Sequence, residues 1–304
     1  MINANVVTII VNWKLQEDTV HSIKSLQQSD IYTSIIAVDN GSNDGSVEYI
    51  AQHCPEVELV ALPSNIGFGS ACNRAISKVL KDPKYDFIFF LNNDATIHPS
   101  ALSELVNAAQ IYPEAGIFGA KVYYSDKPDT IWYAGARRRQ GVLAITDVAR
   151  GQIDCEQFQY CHEVDYIFGA AMLVRRDVFE KVGFFDKRFF LYMEDLDLCI
   201  RAQKAGFSLL FVPDAHVWHK GSASTSKHIA LRRYHMAKST SHFLRKHTTH
   251  ISRLPVFILW VMIYLKDIFS DITGGDIETL KACWSGFIHA ISKKKTGYDF
   301  DHNS

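Results

Sequence analysis

No Asp or Glu occurs between Ala215 and Lys266, a stretch that carries Lys220, Lys227, Arg232, Arg233, Lys238, Arg245, Lys246, Arg253 and Lys266. That lack is local. The whole chain has a formal net charge of -1 and so lacks the basic excess through which general nucleic-acid binders release counterions. No CxxC pair occurs among Cys54, Cys72, Cys155, Cys161, Cys199 and Cys283, which reads as free thiols in a reducing compartment, with Cys54, Cys72 and Cys199 on helices. The opening MINANVVTIIVNW has no basic region and meets a polar residue soon after its apolar run, so no signal peptide is expected. The most apolar window, Leu254 to Leu265, falls short of the ~20 residues that span a bilayer. Repeats and low-complexity segments are also missing. What remains is the composition of a folded globular protein, 304 residues at 47% hydrophobic and 21% charged, with room for one large domain or two modest ones.

Val6 to Val11 is an apolar run ending at Asn12, and Ser34 to Val38 is another ending at Asp39 and Asn40. Between them Val20, Ile23 and Leu26 recur at helical spacing, which makes a strand-helix-strand unit. After Asp39 the turn-rich GSNDGS offers Asn43 or Asp44 as a cap for a helix beginning near Ser46. Val57 to Leu62 reads as a third strand, Gly67 to Leu80 as a helix and Phe87 to Leu91 as a fourth strand. Pro99 to Tyr112 follows as a helix with Pro99 in its first turn, then Ile117 to Tyr123 as extended chain. This alternation demands an α/β fold, a Rossmann-like mainly parallel sheet with helices on both faces, and gathers the strand ends at Asn12, Asp39 and Asn92 to Asp94 at one edge. Ser125 to His162, with Arg137, Arg138 and Arg139 among glycines, reads as an excursion over the sheet. Val164 to Arg175 returns to it, with Gly169 admitting a ligand or a neighbouring backbone, and Phe207 to Val212 is the last strand.

In open α/β sheets ligands lie outside the carboxyl ends of the strands. Asp94 is a single rigid carboxylate of the kind that holds Mg²⁺ when a diphosphate brings the remaining charge, with Asn92 as a neutral oxygen donor; the structural alternative is a cap on the helix after Pro99. Asp39 can accept from the imide N–H of uracil or thymine, or merely close an Asx-turn in DNGS. Asn65, Gly67, Gly69 and Asn73 in NIGFGSACN give GxGxxC, without the third glycine or the later acid of a dinucleotide site. FFLYMEDLDLCIRAQKAG places Glu194, Asp195 and Asp197 in the first turn of a helix, where the helix dipole favours negative charge. Asp197 and Arg201 stand four apart as a surface ion pair, whereas Asp195 has no such partner and is the candidate general base. His216, His219 and Lys220 follow the last strand on a loop, where a histidine can complete a metal site and a lysine can neutralise a leaving phosphate. Arg232 to Lys246 spaces cations at helical intervals ahead of the apolar window, which suits either an anionic membrane surface or a helix packed on the rest of the protein.

In order, IIVNW, AVDNGSNDGS, NIGFGSACN, FFLNND, FGAAMLVRR, VGFFDKRFFLYMEDLDLCIR and HKGSAS cover Val6 to Ser224. Together they resemble the family 2 glycosyltransferases of the GT-A fold, most closely the rhamnosyltransferase-like branch that builds bacterial surface polysaccharides such as O-antigen and capsule. The resemblance implies a GT-A catalytic domain over 1–225, a helical extension over 226–304, and inverting transfer of a hexosyl group from a nucleotide-diphospho-sugar. It favours dTDP-L-rhamnose as donor, with a UDP-hexose or UDP-galactofuranose next because uracil and thymine share the imide edge. Asp39 would hold the base and Asp195 would be the catalytic base. Val11, Asn12, Asn40, Ser42, Asn65, Gly67, Asn73, Asn92, Asn93, Asp94, Gly169, Glu194 and Lys220 would complete the donor site, and Asp94 with His219 would hold Mg²⁺ or Mn²⁺. The family's DxD motif starts here with Asn92, which leaves Asp94 as its one charged ligand. A glycan or lipid-linked saccharide acceptor, a cytoplasmic location with peripheral membrane contact, and no nucleic-acid partner are implied as well. A reading of another class, a non-catalytic nucleotide-sugar or glycan binding subunit, is opposed by the joint presence of Asp94, Asp195 and His219.

Overall fold

The computed structural model describes residues 4–138, 145–155, 158–221, 229–247, 258, 261–262 and 277–292. Most of the apolar window, with Arg139, Lys227, Arg253 and the end of HKGSAS, lies outside the described residues. The chain divides into two compact units, Met1–Phe185 with Asp195–Ser222, and Asp186–Glu194 with Ala223–Ser304.

In the first unit β1 (Val6–Asn12), α1 (Gln16–Gln27), β2 (Thr33–Asp39), α2 (Ser46–His53), β3 (Glu58–Ala61), α3 (Phe68–Val79) and β4 (Phe87–Leu91) alternate as the apolar runs require. There follow β5 (Ala95–Ile97), α4 (Ala101–Ile111), β6 (Ala115–Tyr124), β7 (Lys127–Tyr133), β8 (Ala136–Arg138), β9 (Ile145–Asp147), β10 (His162–Glu163), β11 (Ala171–Arg175), α5 (Arg176–Val182), α6 (Glu194–Lys204) and β12 (Ser208–His219). The main sheet has the order β10-β12-β6-β11-β4-β1-β2-β3. β3, β2, β1 and β4 are parallel; β11 is inserted antiparallel between β4 and β6, and β12 runs parallel to β6. Six strands therefore share one direction.

Side chains alternate across a strand, so each strand feeds two cores. Val6 and Ile10 of β1, with Phe87, Phe89 and Leu91 of β4, pack with Val20, Ile23 and Leu26 of α1 and with α4. Val7, Ile9 and Val11, with Ile88 and Phe90, pack with Ala71, Cys72, Ala75 and Ile76 of α3 and with Phe179, Leu198 and Cys199. Burial on both faces explains why β1 and β4 read as unbroken apolar runs.

Several local expectations change. α4 begins at Ala101 behind Ser100, so Pro99 precedes the helix, and Cys54 is the residue after α2. Neither Asn43 nor Asp44 caps α2: the N-cap is Gly45, in a left-handed conformation and with no side-chain cap hydrogen bond, while Asp44 just before it accepts from the Ser46 N–H at 3.1 Å and its hydroxyl at 2.5 Å. The last strand is twice as long as its apolar core suggests. A register shift between Val212 and His216 absorbs Pro213, which cannot donate to a ladder, and pairing then resumes to His219. The presumed excursion contributes β7, which pairs with β6 and buries Ile131, Trp132 and Tyr133.

The second unit contains α7 (Ile229–His247) and α8 (Ile277–Ser292). At Gly286 a Cβ would lie 2.3 Å from the Tyr234 carbonyl oxygen, so glycine permits the helices to approach. The Tyr234 hydroxyl and His289 Nδ1 are 2.7 Å apart. The segment Asp186–Glu194 belongs to this unit: Ser239 donates to the Leu191 carbonyl at 2.7 Å, Lys246 donates to Asp186 at 2.7 Å, and Phe190 stacks on His235. Hydrogen bonds from Arg188 and Lys246 hold the Asp186 carboxyl well below the usual carboxylate range. Among the described residues no helix is long and apolar enough to cross a membrane.

Candidate active site

The parallel register pairs Asn12 with Asp39, so the polar residues that end β1 and β2 meet at one level of the sheet. Asn12 is wholly buried and acts as a hub. Its amide nitrogen donates to Asp39 Oδ1 at 2.7 Å and to Ser42 Oγ at 3.2 Å; its oxygen accepts from the Thr19 hydroxyl at 2.8 Å and the Leu15 N–H at 3.3 Å. Asp39 also accepts from the Ser42 hydroxyl at 2.6 Å and the Ser42 N–H at 3.0 Å. The turn and the ligand role are therefore compatible, because an ionised carboxylate offers about four lone-pair positions and Asp39 uses three. Asn40 and Asn65 extend the network: Asn40 Nδ2 donates to Asn65 Oδ1 at 2.9 Å, and Gly67 N–H donates to the same oxygen at 3.0 Å. A Cβ on Gly41 would sit 2.3 Å from the Ser64 backbone at φ +71°, so only glycine lets these two loops touch.

β4 delivers the next group. Asn93 Nδ2 donates to Thr19 Oγ1 at 3.2 Å and to Asn12 Oδ1 at 3.4 Å, which ties it to the hub. Asn92 Nδ2 lies 3.2 Å from His219 Nε2, and that same nitrogen lies 3.0 Å from Asp94 Oδ1. β5, which pairs with β12 from Ala95↔His219 to Ile97↔Val217, holds Asp94 and His219 side by side. His219 thus stands at a strand end rather than on a loop, and Asn92 to Asp94 lead into β5 rather than capping a helix. Trp132 and Phe168 wall the imidazole at ring distances of 4.9 and 6.4 Å, and its Nδ1 is buried with no hydrogen-bond partner among the described residues. Among the described residues no group of three or more His, Cys, Asp or Glu side chains forms a closed metal cage. Two converging ligating atoms, one carboxylate oxygen and one imidazole nitrogen, fit an open site for a divalent ion whose remaining ligands are waters and diphosphate oxygens. Asp94 also lines a cleft with Asp18, His21, Lys24, Trp218 and Lys220, where Lys220 donates to Asp18.

Asp195 opens α6. Its Oδ2 accepts from the Tyr166 hydroxyl at 2.7 Å and the Gly169 N–H at 3.0 Å, while Oδ1 accepts from the Leu196 N–H at 2.8 Å. Burial pushes its carboxyl above the usual range, and these donors pull it part of the way back. Immediately before α6, Tyr192 and Met193 hold φ values of 69° and 70°, a left-handed backbone uncommon for residues with side chains. The loop 166–170 joins the two groups of residues: Gly169 bonds Asp195, and the next carbonyl, of Ala170, accepts from the Asn92 N–H at 2.9 Å. Asp195 and the Asp94–His219 pair are thereby linked along one rim.

Asn73, expected in the donor site, and Asp197, expected in a surface ion pair, both make structural contacts here. Asn73 spends both ends of its amide on the Phe185 backbone, at 2.9 and 3.0 Å. Asp197 is wholly buried instead of surface-paired, and Arg201 bridges it at 2.8 Å to the carbonyls of Val182, Gly183 and Phe184. Asn12 spends its whole amide on scaffold contacts to Asp39, Ser42, Thr19 and Leu15. Thr19 and Tyr166 are the residues that sequence reading missed; Tyr166 stands three residues before Gly169, and only tertiary pairing brings it to Asp195.

The family described as "Glycosyltransferase like family 2" matches residues 4–237. N-acetylglucosaminyl-diphospho-decaprenol L-rhamnosyltransferase of Mycobacterium tuberculosis is 33% identical over 232 residues, 69% of this chain and 74% of that protein. Rhamnosyltransferase WbbL of Escherichia coli is 28% identical over 208 residues, 65% of this chain and 76% of that protein. Among solved structures, mannosyltransferase PcManGT from Pyrobaculum calidifontis, in complex with GDP-Man and Mn²⁺, superposes with TM-score 0.55 at 14% identity, covering 97% of this chain and 78% of that one.

Proposed function

The chain belongs to the glycosyltransferase-like family 2 and is a glycosyltransferase of GT-A fold, and from that premise we propose that it moves L-rhamnose from dTDP-L-rhamnose onto a saccharide hydroxyl with inversion. The observation that carries this reading is a continuous chain of contacts: Asn93 donates to Asn12 beside Asp39 and Ser42, the adjacent Asn92 meets His219 beside Asp94, and the loop 166–170 joins Asn92 to Asp195. Rhamnose as the sugar is supported by the names of both relatives. Thymine is supported by the free lone pair of Asp39, which suits an imide N–H; uracil presents the same edge, so a UDP-sugar is the second reading.

Asp94 and His219 would hold Mg²⁺ or Mn²⁺, which when bound offsets the charge that builds on the departing diphosphate. Lys220, on the same cleft as Asp94, adds a cation within reach of that charge. Asp195 takes the proton of the acceptor hydroxyl as its oxygen attacks the anomeric carbon from the face opposite the leaving group. Direct displacement of this kind inverts the anomeric centre.

The acceptor in this reading is a lipid-linked diphospho-saccharide met at the cytoplasmic face of the membrane. It draws on the lipid diphosphate in the relative's name and on the acid-free basic stretch from Ala215 to Lys266. Flotation with anionic vesicles tests the location: salt-sensitive co-migration is expected, and no co-migration at any salt defeats it. For the chemistry, a panel of dTDP-L-rhamnose, UDP-hexoses and UDP-galactofuranose is assayed for transfer and for slow hydrolysis, with and without EDTA. Metal-dependent turnover of dTDP-L-rhamnose above the others is expected. Preference for a UDP-sugar replaces the donor, and binding without turnover of any donor overturns the catalytic reading.

A further inference from the structure

Resting on the reading of Asp195 as base, we propose that Tyr166 is a positioning residue that orients the Asp195 carboxylate, so that Oδ1 is the oxygen that receives the acceptor's proton. Oδ2 is filled by two donors from one loop, the Tyr166 hydroxyl at 2.7 Å and the Gly169 N–H at 3.0 Å, whereas among the described residues Oδ1 accepts from the helix start alone, the Leu196 N–H lying at 2.8 Å. A carboxylate oxygen has two lone pairs, so Oδ1 keeps one for an incoming O–H. In the step, that O–H bond breaks toward Oδ1, the acceptor oxygen bonds to the anomeric carbon, and the bond to the diphosphate oxygen breaks with its electron pair.

Tyr166 is itself held. The buried Tyr133 hydroxyl donates to the Tyr166 carbonyl at 2.5 Å, and the Cys199 thiol donates to the next carbonyl, of Ile167, at 3.7 Å. Gly169 completes the fit from the other side, since a Cβ there would lie 3.3 Å from Oδ2. The titratable groups facing Asp195 are Tyr166, Tyr133 and Cys199, with Glu194 before it in the chain and Asp197 on the same helical turn, paired with Arg201. Burial raises the two phenols and the thiol far above their ordinary values, so they stay protonated donors through the working pH range.

The test compares wild type with Tyr166→Phe, Asp195→Asn, and a protein carrying 3-fluorotyrosine at 166 by site-specific incorporation, using the nucleotide sugar that wild type turns over best. A lost hydrogen bond to a carboxylate raises its pKa, so in Tyr166→Phe the acid limb of kcat/KM should move up by about one pH unit and kcat should fall about tenfold at neutral pH. Donor KM and Tm should stay near wild type. Fluorotyrosine, a stronger donor, should move the limb down. If both variants keep the wild-type limb while Asp195→Asn is inactive, the positioning role is overturned and the base assignment stands. If Asp195→Asn turns over normally, the base assignment falls and the positioning role falls with it.

Discussion

Asp39 and Asp195 are both buried carboxylates, 1% and 8% exposed, each accepting three hydrogen bonds, yet they are built from different materials. Asp39 is held by the strand end paired with it and by a serine three residues on, so its setting follows from β1 and β2 stopping together. Asp195 is held chiefly by a loop 26 to 29 residues away. A carboxylate fixed by its own turn suits passive recognition of a base. One fixed by a separate loop that also touches Asn92 suits a group whose orientation must match that of the Asp94–His219 pair.

The sharpest way to break this comparison is to neutralise the two acids separately. Asp195→Asn should lower kcat by roughly 10³-fold, within the range typical of general-base loss, while thermal shift with donor nucleotide stays as in wild type. An unaltered kcat would show that Asp195 is scaffold like its neighbour Asp197. If Asp94 and His219 hold one ion, Asp94→Ala, or EDTA, should cost about 10²-fold in turnover, and His219→Ala added to Asp94→Ala should cost little more, because two ligands of one ion act as a unit. Full additivity would separate them. Asp39→Asn should leave kcat near wild type and raise the donor KM about tenfold, the loss expected for one hydrogen bond to a charged group. Inhibition by CDP, whose ring nitrogen accepts rather than donates, should weaken least. Equal weakening for all nucleotides would place Asp39 in the turn alone.

The alternation of β1 to β4 with α1 to α3 was legible because β1 and β4 are buried on both faces, β2 is largely so, and each helix is striped; β3, at the sheet edge, is only partly buried. The rim was legible because apolar runs stop abruptly at Asn12, Asp39 and Asn92. Beyond β6 legibility declines. Pro213 broke the pattern of β12, whose ladder resumes beyond a register shift, so His219 looked like a loop residue. β7 has an exposed first half, Lys127 to Asp129, that hides its pairing with β6. Asp197 and Arg201 have the spacing of a surface pair, and the carbonyls of residues 182–184, which accept from Arg201, help to make their burial tolerable. Tyr166 carries no local signal at all. Its role depends on a loop meeting a helix start, which periodicity cannot register.

Lys220 offers the smallest effect and the finest distinction between structural and functional charge. Its ammonium pairs with Asp18, but the lysine side chain is 49% exposed, so the pair is worth only about 0–1 kcal/mol after solvent screening. Lys220→Ala should therefore shift Tm by no more than about 2–3 °C. If the ammonium only pairs with Asp18, then Asp18→Asn and Lys220→Ala should have matching and negligible effects on donor KM. If it also meets the diphosphate across the cleft it shares with Asp94, Lys220→Ala should raise donor KM several-fold. Asp18→Asn, by releasing the lysine, should leave donor KM unchanged or lower it. Opposite responses from the two halves of one ion pair are something that a stabilising contact cannot produce, so the pair of KM values decides whether this charge belongs to the fold or to the substrate.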